Sequence, residues 1–209
     1  MDETEGRSAR KRNAIMAAAT ELFLQNGYQG TSMDQVAARA AVSKQTVYKN
    51  FADKERLFSE IVRGVADNSD RIVELLGEPL RAGITSRADL EAALTEVARR
   101  YLDAVLRPNV LQLRRLVIAE ADRFPGLARD YYERGPERGI TVLASALEHY
   151  ATRGLLRVDD ARLAAAHLAY LALAIPQDKA LFCPGENPGA AAREHIARSA
   201  VRVFLAAYG

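Results

Sequence analysis

Lys44, Gln45, Thr46, Tyr48, Lys49 and Asn50 bring ammonium, amide, hydroxyl and phenol groups onto one short stretch of the chain. Amide and ammonium groups can read base edges in a major groove, whereas hydroxyls and phenols bind phosphate. The same stretch carries Val47 and Phe51, four residues apart, with Val42 beside them. At helical spacing these point one way and form an apolar anchor. Gln45 and Lys49 then fall on the opposite side, with Thr46 and Tyr48 on the flanks and Lys44 at the exposed first turn. Ser43 is a good N-cap for a helix of about two turns.

A reader of this kind must be held by a neighbouring helix. Ser32 can cap one, and Gln35 three residues on completes a capping box. Met33, Val36, Ala37 and Ala40 give that helix one apolar side, and a break at Ala41-Val42 separates it from the reader. The pattern is a helix-turn-helix. In it Lys44, Gln45, Thr46, Tyr48 and Lys49 are assigned to the major groove, and Ser32, Asn50 and Lys54 to phosphates. Asp53 caps the following helix, whose first amides and Lys54 ammonium would form a phosphate clamp.

The spacing of Gly27, Gly30, Val36-Ala37, Ala40-Ala41-Val42-Ser43, Thr46-Val47-Tyr48, Phe51, Lys54 and Leu57-Phe58 resembles one known family. It is similar to the N-terminal DNA-binding domain of the tetracycline-repressor (TetR/AcrR) family of bacterial transcription regulators. The motif covers about the first quarter of the chain. Ala41 departs from the family, where the turn is often glycine. The resemblance implies a DNA-backbone contact for Lys54 and leaves operator choice to Gln45, Lys49 and Asn50, which sit where the family varies.

Charge distribution agrees with a nucleic-acid partner. Net charge is only +2, but residues 7–54 hold eight Lys/Arg against three acids, and residues 55–209 hold 21 of each. The positive field is concentrated on the segment that carries the motif. Arg7, Arg10, Lys11 and Arg12 open the first helix, either as an arm on DNA or as a solvated helix start.

The rest of the chain reads as helix throughout, and the expected fold is all α. Residues 1–55 are assigned to a DNA-binding helix-turn-helix domain, with 1–6 disordered, and 56–209 to an effector-binding and dimerisation domain. A first helix runs to about Asn26 with Ile15, Ala18, Ala19, Leu22 and Phe23 inward, and Asn26-Gly27 stops it. From Lys54 an apolar period of Leu57, Phe58, Ile61, Val62, Val65, Ile72, Val73 and Leu76 reaches Gly77. Ser86 and Asp89 open a helix that Pro108 ends, and another spans about Asn109 to Arg123. A third, from about Gly126 to Thr152, is interrupted at Gly135-Pro136. Asp159 or Asp160 opens a helix to about Ile175, Pro176 to Pro188 is a loop, and a last helix runs to Tyr208.

Leu163, His167, Tyr170 and Leu171 of one late helix, and Ile196, Ala200, Val203 and Phe204 of the last, form stripes that suit either a core or a self-association surface. The resemblance favours the surface, because the family forms twofold dimers through its last two helices. It also implies a cavity for a small apolar or amphipathic effector whose binding weakens DNA binding. Tyr101, Leu113, Leu116, Phe124, Tyr132, His149 and Tyr170 are the candidate lining, since rings with polar tips suit such pockets, although each also suits an ordinary core position.

Catalysis finds little support. His149, His167 and His195 form no metal-ligand pair, no Walker or G-x-S-x-G motif occurs, and Cys183 is the single cysteine. No cofactor and no metal are expected. With no leader and no apolar run of roughly 18 residues, a cytoplasmic protein that joins the nucleoid on DNA is expected. The resulting reading is a homodimeric repressor of operator DNA, released by a small molecule. A DNA-bound protein that recruits a protein partner is the alternative in the same fold.

Overall fold

A computed structural model describes residues 3–81 and 83–209, with side chains for all of these except 3–5 and 65–76. Ten α-helices and no strand occur among the described residues: α1 Glu3–Asn26, α2 Met33–Arg39, α3 Lys44–Asn50, α4 Lys54–Gly77, α5 Arg87–Val105, α6 Pro108–Ala119, α7 Pro125–Tyr132, α8 Arg138–Thr152, α9 Ala161–Phe182 and α10 Ala190–Tyr208. The all-α expectation is met.

The chain forms two compact units, Met1–Ala66 with Gln112–Tyr131, and Asp67–Leu111 with Tyr132–Gly209. The first unit thus extends past residue 55 along α4 and also takes in most of α6 and nearly all of α7. Its core joins Ile15, Ala19 and Phe23 of α1 to Val36, Val47, Phe51, Leu57 and Phe58, and to Leu113, Leu116 and Leu127 of the later segment. Apolar burial of this later segment, invisible to local periodicity, draws it into the first unit, the DNA-binding head.

Two glycines shape the entry to α2. Gly27 closes α1 with φ 74° and donates its N–H to Phe23 O at 3.0 Å, the left-handed stop that glycine adopts freely. At Gly30 a Cβ would collide with the Asn26 carbonyl, so only a bare backbone fits. Glu3–Gly6, expected to be disordered, continue α1, and Arg10 Nε donates to Gly6 O at 3.2 Å; Met1 and Asp2 lie outside the described residues.

In the second unit α9 packs on α8 and α10, and α10 on α5. Leu94 and Leu102 of α5, Leu147 and Tyr150 of α8, Ala164 and Ala165 of α9 and Phe204 of α10 share the core. Ser86 and Asp89 open α5 as expected, and they do so as a capping box. Helix α5 ends at Val105, before Pro108 as expected, and Pro108 then opens α6, a position that wastes no hydrogen bond because the first N–H groups are unpaired anyway. The expected interruption at Gly135-Pro136 is a π-helical turn, Glu133–Glu137, between α7 and α8.

One boundary differs by two turns. Asp160 caps α9 as expected, but the helix passes through Pro176 to Phe182, so the loop is shorter than Pro176–Pro188. A mid-helix proline costs about 3 kcal/mol in isolation. Pro176 and Ala180 are buried, and their packing outweighs that local preference. The side chains of Val65, Ile72, Val73 and Leu76, assigned to the apolar side of α4, lie outside the described residues.

An ion network runs along α5. Glu96 accepts from Arg99 at 2.7 Å and Arg100 at 2.6 Å, and Arg100 reaches Glu78 at 3.0 Å. The Arg99 hydrogen bond above all, then that of Arg100, lowers the Glu96 carboxyl from 4.5 to about 2. A carboxyl that is more acidic in the folded state stabilises above its unfolded value and loses that contribution as pH falls. Stability should therefore decline between pH 4.5 and about 2 more steeply than in Glu96→Gln, as urea melts at stepped pH would record.

Candidate nucleic-acid interface

Local capping sets α2 and α3. Gln35 N–H donates to Ser32 Oγ at 3.2 Å while Ser32 N–H donates to Gln35 Oε1 at 2.8 Å, and Thr46 N–H donates to Ser43 Oγ at 3.2 Å. Between them, Val42 N–H reaches back to Ala37 O at 3.1 Å and Ala41 N–H to Ala38 O at 3.2 Å. This is a Schellman stop with Ala41 in its left-handed position at φ 53°, where glycine is usual. The alanine Cβ costs about 1 kcal/mol there.

Val47 and Phe51 are buried, with Val42 packed against them, so α3 is pinned by its apolar side. Lys44, Gln45, Tyr48 and Lys49 are exposed on the remaining surface, Tyr48 at 44%. Thr46 and Asn50 are half-buried and engaged locally. Thr46 Oγ1 lies 2.8 Å from Ser43 Oγ, and Asn50 Nδ2 donates to Thr46 O at 2.8 Å. Lys44 Nζ pairs with Asp34 of α2 at 2.8 Å, which raises the Lys44 pKa through that hydrogen bond.

Lys54 is more enclosed than its assignment to phosphate required. Its ammonium donates to Tyr28 O at 3.0 Å and Thr31 O at 2.9 Å, and stands 4.3 Å from the Tyr28 ring centroid. Burial, then the charge of Arg123, pushes its pKa down. Two of its three hydrogens thus hold the turn before α2, and one remains for a phosphate. Arg12 pairs with Glu60 and lies 4.5 Å from the Phe51 ring, tying α1 and α4 to the base of the reader, whereas Arg7, Arg10 and Lys11 are exposed.

The candidate pocket residues divide. Leu113, Leu116 and Phe124 belong to the apolar core of the first unit. Within the second, Tyr101 lines a partly enclosed apolar cavity of about 20 Å³ with Leu80, Val97, Val142 and Leu143. Tyr132 and Tyr170 line an open groove of about 280 Å³ beside Glu137, Arg162 and Leu163. His149 is exposed, edge-on to Tyr150, and lines neither. Of the self-association set, Leu163, His167, Tyr170, Leu171 and Val203 are exposed and Ile196 is half-buried. Ala200 and Phe204 are buried in the protomer's own core.

Residues 15–61 match the family of bacterial regulatory proteins called tetR, and residues 92–209 match the C-terminal domain of AefR-like transcriptional repressors. The chain belongs to the TetR family. It is a DNA-binding transcriptional regulator and not an enzyme. A TetR-family regulator from Mesorhizobium loti has the same fold, with a TM-score of 0.86 and 42% identity over 97% of this chain and 98% of that one. The flavonoid-responsive regulator FrrA superposes with a TM-score of 0.72 at 31% identity, over 96% and 97% of the two chains. The transcriptional activator FasR of Mycolicibacterium smegmatis is 33% identical over 84 residues, 40% of this TetR-family chain and 37% of FasR. The match therefore spans well under half of that relative.

Asp34, Tyr28 and Arg123 were missed by reasoning from the sequence. Asp34 holds the reader's Lys44, and the other two surround Lys54. Asp34 looked like an ordinary first-turn acid, and nothing local to Arg123 signals a role in the head. No described helix is long and apolar enough to cross a membrane.

Proposed function

We propose that this TetR-family regulator is a homodimeric repressor that binds operator DNA and is released by a small apolar or amphipathic molecule. The match of residues 92–209 to the C-terminal domain of AefR-like repressors carries this reading. On DNA, Lys44, Gln45, Thr46, Tyr48 and Lys49 meet the major groove, and Ser32, Asn50 and Lys54 meet phosphates. The exposed side of α3 supports the first set, and the position of Lys54 beside the start of α2 supports the second. Self-association runs through α9 and α10, whose outward apolar residues are otherwise left in water. The protein works in the bacterial cytoplasm, at the nucleoid when bound.

FrrA, by its name a flavonoid-responsive protein, lends support to a small-molecule trigger. The cavity beside Tyr101 is apolar apart from the phenol tip, which favours an effector with few polar groups. At about 20 Å³ it holds no more than a water, so an effector must displace side chains. Fluorescence anisotropy of the protein on DNA flanking its own gene, with random DNA as competitor, tests the reading. Tight binding that survives competitor and is abolished by an apolar or phenolic compound is the expected result. Binding that no compound disturbs, together with capture of a protein partner on the DNA, would favour the recruiting alternative. FasR is an activator, so increased transcription on binding is the outcome that would overturn repression.

A further inference from the structure

Tyr28 stands at the centre of the aromatic cluster in the first unit. Its ring centroid lies 5.8 Å from Phe23, 5.1 Å from Phe58 and 5.0 Å from Phe124. Two cations approach it, Lys54 Nζ at 4.3 Å and Arg123 Cζ at 5.0 Å from the centroid, and Arg123 is also 5.4 Å from the Phe124 ring. Cations are drawn to such ring faces by their quadrupole.

Lys54 in turn grips the carbonyls of Tyr28 and Thr31, the two ends of the turn before Ser32 caps α2. Helix α2 is held to α3 by the Ala41 stop, with the exposed Asp34–Lys44 pair bridging them on the surface. A continuous series of fixed contacts therefore leads from Arg123, through Tyr28 and Lys54, to the reading helix. Repulsion between the two cations favours Lys54 lying against the two carbonyls, the nearest negative ends of dipoles. Arg123 itself sits in the turn between α6 and α7, inside a segment of the first unit that is flanked in sequence on both sides by second-unit residues.

We infer that Arg123 is a positioning residue for DNA recognition: it fixes Tyr28 and Lys54, and so the start of α2, without meeting DNA. The inference rests on α3 being the reading helix. It makes the α6–α7 turn a determinant of operator affinity, a role that nothing in the reader's own sequence displays.

The test compares Arg123→Gln, which removes the charge, with Arg123→Lys, which keeps it. Circular dichroism first establishes that both are folded at the assay temperature. Anisotropy is then measured on an operator duplex selected by the wild-type protein from a random pool, and on a random duplex, across salt concentrations. Arg123→Gln should weaken operator binding roughly fivefold, the scale of a lost cation–π contact. Because Arg123 acts through Lys54, its effect on either duplex and on the salt slope should vanish in a Lys54→Met background, and Arg123→Lys should recover most of the loss. A loss on both duplexes that persists in the Lys54→Met background, with the salt slope lower by a further amount of about 0.9, would mean that Arg123 itself meets a phosphate and would overturn the inference. Unchanged operator affinity with a lowered melting temperature would overturn it too, leaving a merely structural residue. Gln45→Ala and Lys49→Gln serve as separate controls. If neither alters operator preference, the assignment of α3 as reader fails, whatever Arg123 does.

Discussion

Leu171→Glu should leave the chain folded but monomeric, and affinity for a two-site operator should fall by about a hundredfold or more. Helix α9 turns Ala164, Ala165, Leu168 and Ala172 inward and leaves Leu163, Tyr170, Leu171 and Ile175 outward, the last 83% exposed. Val203 adds to this surface from α10 at 49% exposed. In a twofold contact the same patch meets itself, so one substitution brings two carboxylates into an apolar interface. A single short reader covers few base pairs, and pairing two readers multiplies both affinity and specificity. Sedimentation velocity should register the monomer, and anisotropy should show the loss on a full palindrome with little change on a half-site. A Leu171→Glu protein that stays dimeric would place self-association on another surface.

The parts of this molecule legible in the sequence are those fixed by neighbours in the chain. Ser32, Ser43 and Ser86 cap their helices through amides three residues on, and each stands at a helix start as expected. The left-handed Ala41 is also local, at the turn position where the resembled family often has glycine. What escaped is what distant residues decide. Pro176 reads locally as a helix end, yet burial keeps α9 going to Phe182. Ala200 and Phe204 share an apolar stripe with Val203, but only packing on the protomer's own core separates them from the outward surface. The same limit divided the pocket set: apolar side chains such as Leu113 and Leu116 look alike whichever core they enter, and these two enter the core of the head. Lys54 was recognised as important, while its partners Tyr28 O and Thr31 O, contributed from before α2, were not.

That double engagement makes Lys54 the position where stability and DNA binding should fail together. Lys54→Met keeps an unbranched apolar stem of similar length and removes the ammonium. The carbonyls of Tyr28 and Thr31 then lose a charged donor, for a destabilisation of about 2 kcal/mol, since hydrogen bonds to charged groups exceed neutral ones. Urea melts should show this as a lower midpoint with an unchanged slope. If the remaining ammonium hydrogen meets a phosphate, binding should weaken by about tenfold on operator and random DNA alike, and the salt slope should fall by about 0.9. A phosphate carries no sequence, so preference among operators should not move. Gln45→Ala should do the reverse, changing preference while the salt slope holds. A Lys54→Met protein that melts earlier but binds both duplexes as the wild type does would leave Lys54 as an internal clamp only. The phosphate contact at the start of α4 would then have to come from its backbone amides.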